Sequence, residues 1–385
     1  MKEISCPKRK RYKKIIGIIL AAVTFSLLCI FLFAHSYITK LNRTAVLSKD
    51  AVTGGDGARV TDIPGEDSNT EAGSPAGKDA SGEPDSSAEQ ITSAEEAIRK
   101  NMEDNSTAVL SDKNVFNILL IGTDNRVKGE SSRSDAMILV SINKKNKTIT
   151  AASLLRDIYL QIPGKNNNRL NAACAFGGPK LLMDTIEQNF KVSVDRYASV
   201  DFYVFMDIID AVGGVTIEVT REEIPIINDY IAELNKLRGE KEGSDYLTEP
   251  GELILNGKQA LGYARNRYTG TDFERTEKQR RVLKEAFQKI KKLNLIQLNN
   301  LLNKLLPQVT TNLTEGEIFS MILSLPGYAG YDIKQCRIPV DNSYQFMRIR
   351  GMEVITLDFD KNIKALREQI YPDKNRDHVL TILQK

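Results

Sequence analysis

Residues 15–34 read IIGIILAAVTFSLLCIFLFA, an unbroken apolar run without one ionisable side chain. At ~1.5 Å rise per residue such a run makes ~30 Å of helix, the thickness of a bilayer's hydrocarbon core. Lys8, Arg9, Lys10, Arg11, Lys13 and Lys14 stand just ahead of it, and basic flanks stay on the cytoplasmic side. The reading is therefore a single-pass membrane protein: residues 1–14 form an inner basic tail, 15–34 the span, and the bulk of the chain lies outside. A cleaved signal peptide is the alternative, since Ala34-His35-Ser36 has a small-x-small pattern. The run, however, exceeds the ~7–15 apolar residues of a signal peptide. A net charge of +3 over 385 residues points to no nucleic-acid partner, and the basic cluster abuts the span.

From residue 35 to 112 the composition turns to Gly, Ser, Asp, Glu and Pro. Such a segment buries too little apolar surface to fold. It is read as a disordered extracytoplasmic linker with a reach of ~45–50 Å. Within it Ile91, Ala94, Ile98 and Met102 keep helical spacing and suggest a short helix at 94–102. One globular domain is expected over 113–375, with order beginning at Val115 and residues 376–385 left as a tail.

Inside that domain, 116–121 (FNILLI) reads as a fully buried strand, and 136–142 and 148–155 as a hairpin about Lys144–Lys147. Helices are expected at 180–190 and at 202–212, the second capped by Asp201 and closed by Gly213-Gly214. A strand follows at 215–219. The charged stretch 224–248 reads as an insertion or mobile loop, and a long helix is expected over 272–292. Helices at 298–306, 315–324 and 361–369 and a strand at 335–339 complete the chain. Strands alternating with helices give an α/β fold, a mixed central sheet flanked by helices. Cys6, Cys29, Cys174 and Cys336 match neither a zinc spacing nor a disulfide framework. Cys174 and Cys336 read as two isolated buried thiols, with a pair between them as the alternative.

Costly charges recur where strands end. Asp124 follows the first strand in GTDNR, and Arg133 and Asp135 precede the second in SSRSD. Loops at strand ends are where α/β folds build sites. Two carboxylates completed by phosphate oxygens and water are a usual shell for Mg²⁺, so Asp124 and Asp135 are the metal candidates. Arg156 and Asp157 stand at the end of the third strand. Arg265 and Arg267 in YARNRY are two apart, which on a strand would aim both to one face. Guanidinium groups converging on one pocket need an anion between them, and their fork matches phosphate. On the helix from 272, the stripe through Leu283, Ala286, Phe287 and Ile290 continues backwards to Gln279 and Arg275, with Asp272 at its start. Both histidines, His35 and His378, lie far from these residues. That excludes a Ser-His-Asp or Cys-His mechanism, and no phosphate-binding glycine loop is present.

The segments NILLIGTDNR, SSRSDAMILVSI, SLLRDIYLQIPG, RLNAACAFGGPKLLMDTIE, AVGGVTIEV, LNGKQALGYARNRY and DFERTEKQRRVL together resemble the LytR-CpsA-Psr family of cell-wall enzymes. The resemblance is close from about 115 to 292 and looser beyond. It implies a phosphotransferase that moves a glycan polymer, such as teichoic acid or capsule, from a polyprenyl-pyrophosphate carrier to peptidoglycan, with Mg²⁺ (or Mn²⁺) at the pyrophosphate. Carried over by position, Asp124 and Asp135 would hold the metal, and Arg133, Arg156, Arg265 and Arg267 the pyrophosphate. Asp272, Arg275 and Gln279 match the remaining polar positions, and Asp157 and Asp272 are the candidates for a general base. One departure is the loop between Arg267 and Asp272, which is only Tyr-Thr-Gly-Thr. The alternatives are a lipid-pyrophosphate-binding or regulatory membrane protein without turnover, and a pyrophosphatase acting on the same lipids.

Overall fold

The structure, a computed structural model, describes residues 42–43, 84–104, 107–123, 134–266 and 272–372. The expected membrane span therefore lies outside the described residues, as do Asp124, Arg133, Arg267 and the side chain of Asp272. Among the described residues no helix is long and apolar enough to cross a membrane.

Order starts well before Val115. Helix α1 (Ala88–Glu103) opens with a capping box between Ser87 and Gln90 and buries Ala94 and Ile98 in the main core. The expected apolar stripe is real. The expectation of a disordered tether fails for this part because four apolar residues at helical spacing, once packed on a domain, outweigh a polar average.

Strands β1 (Val115–Thr123), β2 (Ser134–Asn143) and β3 (Thr148–Leu154) form an antiparallel meander. Leu119, Leu139 and Ala152 lie in register across it, all fully buried. Lys147, at φ 52°, completes the β2–β3 turn. Helix α2 (Leu170–Phe190) begins ten residues before the expected start and bends at Gly177 and Gly178, where the backbone leaves helical angles ahead of Pro179. Strand β4 (Arg196–Asp201) then runs parallel to β1, with Thr123 opposite Asp201. Asp201 caps α3 (Phe202–Ala211), as its sequence indicates.

Strand β5 (Val215–Val219) leaves the main sheet and pairs with β6 (Gly251–Leu255) as a separate ribbon. Between them the expected loop is instead helix α4 (Glu223–Arg238), with Ile227, Ile231 and Leu234 on its buried face and Gly239 ending it at φ 65°. Helix α5 (Gly257–Arg265) starts at a capping box of Asn256 and Gln259. This corrects the strand reading of YARNRY: Tyr263, Ala264 and Arg265 are the last turn of a helix. Helices α6 (Asp272–Ile290), α7 (Leu295–Leu305) and α8 (Glu315–Tyr328) lead to β7 (Asp332–Ile338), which is parallel to β3. A hairpin that sequence patterning does not reveal, β8 (Tyr344–Ile349) with β9 (Met352–Leu357), turns on Arg350 and Gly351, both at positive φ. That pair of angles is what a two-residue hairpin turn requires. Helix α9 (Phe359–Ile370) closes the core.

The main sheet is mixed. Its order is Asn42–Arg43, Thr310–Thr311, β4, β1, β2, β3, β7. Strands β4, β1, β3 and β7 point one way and β2 the other. The outgoing ends of four strands and the start of β2 therefore meet at one edge, and the site is built there.

Candidate functional site

Three expected residues come together at this edge. The Arg156 guanidinium lies just past β3 and donates from Nη1 to Asp135 Oδ1 at 3.0 Å and from Nε to Asp157 Oδ2 at 3.3 Å. Arg169, at the entry to α2, faces Asp157 Oδ1 at 3.6 Å. The four side chains retain only 18 to 25% of their exposure. Two acids and two bases thus alternate in one partly buried row. Asp135 and Asp157 both hold Arg156, and Asp157 also faces Arg169. Backbone bonds fix the row, since Asn171 N donates to the Arg156 carbonyl at 3.1 Å and Ile355 N to the Asp157 carbonyl at 2.9 Å. Sequence reasoning missed Arg169, because nothing near it in RLNAACAF signals a partner twelve residues back.

Arg265 approaches from the opposite flank. Its guanidinium lies over the Phe202 ring at 4.5 Å and the Tyr230 ring at 5.0 Å. Phe202 directly follows the end of β4, so Arg265 sits three strands from β3. At about 4.8 Å per strand that is ~14 Å. Stacking between two rings holds the planar guanidinium in place.

Helix α6 supplies the roof. It packs on β3, α5 and β5, and Arg275 is only 2% exposed. Gln279 is half-buried one turn on, so the polar continuation of the apolar stripe does turn inward. Next to it, Arg280 Nη1 is buried and has no hydrogen-bond partner among the described residues. Burial lowers the Arg280 pKa from the ordinary guanidinium value; Glu277 opposes the shift and nearby Arg337 adds to it. Arginine stays protonated in proteins, so this is a charge held largely out of water. Arg337 and Arg280 were not singled out from sequence. Lys278, on another side of the same helix, makes a 2.8 Å ion pair with Glu223 of α4, both side chains 9% exposed. It fastens the roof to α4.

Of the two metal candidates, Asp135 is placed at the mouth and Asp124 lies outside the described residues. No group of three His, Cys, Asp or Glu that could hold a metal occurs among the described residues. Mg²⁺ does not need one, because it commonly takes one or two carboxylates and completes its shell with phosphate and water. A hard carboxylate beside phosphate-matching guanidinium groups fits such an ion. Cys174 and Cys336 are separate free thiols, the first buried.

The chain is 34% identical over 192 residues to the polyisoprenyl-teichoic acid–peptidoglycan teichoic acid transferase TagU of Enterococcus faecalis. That match takes in 49% of this chain and 57% of the relative, so the chain spans little more than half the length of that protein. Among solved structures it resembles TagT bound to LIIa-WTA, with a TM-score of 0.55 at 25% identity over 68% of this chain and 93% of that one. It also resembles the LytR-CPS2A-psr family protein YwtF (TagT) with bound octaprenyl pyrophosphate lipid, with a TM-score of 0.51 at 25% identity over the same shares. The family model for LytR_cpsA_psr matches residues 82–368, which takes in α1 and ends within α9, and the chain belongs to that family.

Proposed function

We propose that this protein moves a glycan polymer (teichoic acid, capsule or another secondary wall polymer) from a polyprenyl-pyrophosphate carrier to peptidoglycan. Residues 15–34 would anchor it in the membrane, N-terminus inside, with the domain on the wall side. The observation that carries the reading is the Asp135–Arg156–Asp157–Arg169 row at the convergent strand ends. It provides two guanidinium groups oriented by carboxylates that balance their charge, and Arg265, stacked on Phe202 beyond β4, adds a third from the other flank. The names of TagU, as a transferase, and of TagT, with a bound octaprenyl pyrophosphate, support the same chemistry.

In this reading a peptidoglycan hydroxyl attacks the phosphorus adjoining the glycan. A new phosphodiester bond forms, the bond from that phosphorus to the bridging oxygen breaks, and polyprenyl phosphate leaves. Arg156 and Arg265 clamp the pyrophosphate from two sides, with Arg133 and Arg267 assigned to the same clamp. They stabilise charge growing on the leaving lipid phosphate, where preorganised donors act most strongly. Asp157, with a guanidinium against each oxygen, positions Arg156 and Arg169. Asp272 is then the carboxylate assigned to take the proton of the attacking hydroxyl. Mg²⁺ or Mn²⁺, held by Asp135 with Asp124, would supply further neutralisation of pyrophosphate charge.

The test is transfer of a lipid-linked oligosaccharide to peptidoglycan fragments by the full-length protein. Arg156→Ala should slow it ~10²–10³-fold, the loss typical of one charge-stabilising donor. Full transfer by that variant would refute the assignment. Release of the glycan phosphate into water without transfer would make the protein a pyrophosphatase instead.

A further inference from the structure

The roof and the late hairpin meet in a feature that the pyrophosphate chemistry does not use. Tyr344 and Phe346 are two apart on β8 and so share a face, and Phe273, the second residue of α6, stacks against both. Ring centroids lie 4.8 Å apart for Phe273–Tyr344 and 6.0 Å for Phe273–Phe346, the latter at 87°. Tyr344–Phe346 is 5.6 Å at 84°. The Arg337 guanidinium covers Phe273 at 4.3 Å. Phe273 and Tyr344 pack partly against the core, whereas Phe346 is 64% exposed.

This ledge is tied to the row of charges. Phe346 is paired with Ile355 of β9, and the Ile355 amide donates to the Asp157 carbonyl at 2.9 Å. Phe346 thus stands two strand spacings, about 10 Å, from the residue that follows Arg156.

We propose that Phe273, Tyr344 and Phe346 form the subsite that seats a pyranose ring of the acceptor glycan, a role that rests on the transferase reading. The C–H face of a pyranose carries slight positive charge and meets the negative face of an aromatic ring. Edge-to-face contacts from Phe273 and Tyr344 fix the orientation of the exposed Phe346. The rim supplies what sugar hydroxyls need: Asp341, 79% exposed, pairs with Arg337, whose guanidinium covers Phe273. A prenyl tail has no hydroxyls to satisfy and needs a covered passage. Over an open ledge rimmed by ions most of its surface would stay in water.

The test titrates soluble, lipid-free peptidoglycan oligosaccharides into the full-length protein and its Phe346→Ala and Phe346→Trp variants. Octaprenyl pyrophosphate is titrated in parallel. Phe346 is 64% exposed, so its truncation lowers the melting temperature by only a few degrees and the variant stays folded during the titration. Phe346→Ala is expected to weaken oligosaccharide binding about five- to tenfold, Phe346→Trp to restore it, and the lipid affinity to stay the same. Equal oligosaccharide binding by Phe346→Ala, loss of lipid affinity instead, or no binding by the unmodified protein would each overturn the proposal. Binding needs no donor. A protein that binds the sugar through Phe346 but transfers nothing would keep this subsite and remove the transferase reading, and transfer indifferent to Phe346 would do the reverse.

Discussion

Replacing Asp157 by asparagine separates a positioning carboxylate from a catalytic base. Asparagine keeps the shape and removes the charge that faces Arg156 at 3.3 Å and Arg169 at 3.6 Å. A charge-assisted hydrogen bond contributes ~1.5–3 kcal/mol. The 3.3 Å contact is long for its kind, and both partners keep 18% exposure, so the lower end applies, about 1.5–2 kcal/mol. If that energy holds Arg156 where the leaving phosphate needs it, kcat/KM for glycan transfer falls roughly 10- to 30-fold. The shape of its pH profile does not change. Loss of a general base would cost ~10²–10⁴ and abolish the acidic limb of the profile. The assay is transfer to peptidoglycan fragments across pH 5 to 9 with the two proteins side by side. A thousandfold drop with the acidic limb gone would refute the positioning argument, and unchanged kinetics would show that the ion pairs orient nothing.

Other consequences concern the roof and the thiols. Glu223→Ala takes the carboxylate away from the buried Lys278 ammonium and should cost about 3–5 kcal/mol in urea unfolding, whereas replacing both partners by Leu and Met should recover most of it. A single-variant cost below about 1 kcal/mol would mean that this pair does not hold α6. Burial pushes the thiols of Cys174 and Cys336 up to about 11. At pH 8 only about a thousandth of each is thiolate, so iodoacetamide should label neither in the folded protein and both in urea. Rapid native labelling of either would contradict the packing around it.

Much of the edge was legible because it depends on local pattern. The buried strand at 116–121, the hairpin that follows it and the Asp201 cap are short-range signals. With the strands in place, Asp135 and Arg156 come within contact. The inward turn of Arg275 was readable from one stripe. Other parts were masked by competing patterns. Arg265 lies in a tyrosine–arginine alternation that mimics a strand, yet the Asn256–Gln259 capping box upstream commits the segment to helix. In 224–248 the charges and two glycines hid a stripe of Ile227, Ile231 and Leu234, and Gly239 is a helix terminator, not a loop hinge. The roles of Arg169, Arg280 and Arg337 depend on contacts between distant segments, which no local period encodes.

The most direct measurement is a calorimetric titration of octaprenyl pyrophosphate into the full-length protein and into Arg156→Ala and Arg265→Ala, which remove one guanidinium from either flank of the strand edge. A shared anion pocket predicts at least tenfold weaker binding for each variant, and a loss in the double variant smaller than the product of the two. Affinity unchanged in either single variant would mean that the arginines do not face one pyrophosphate.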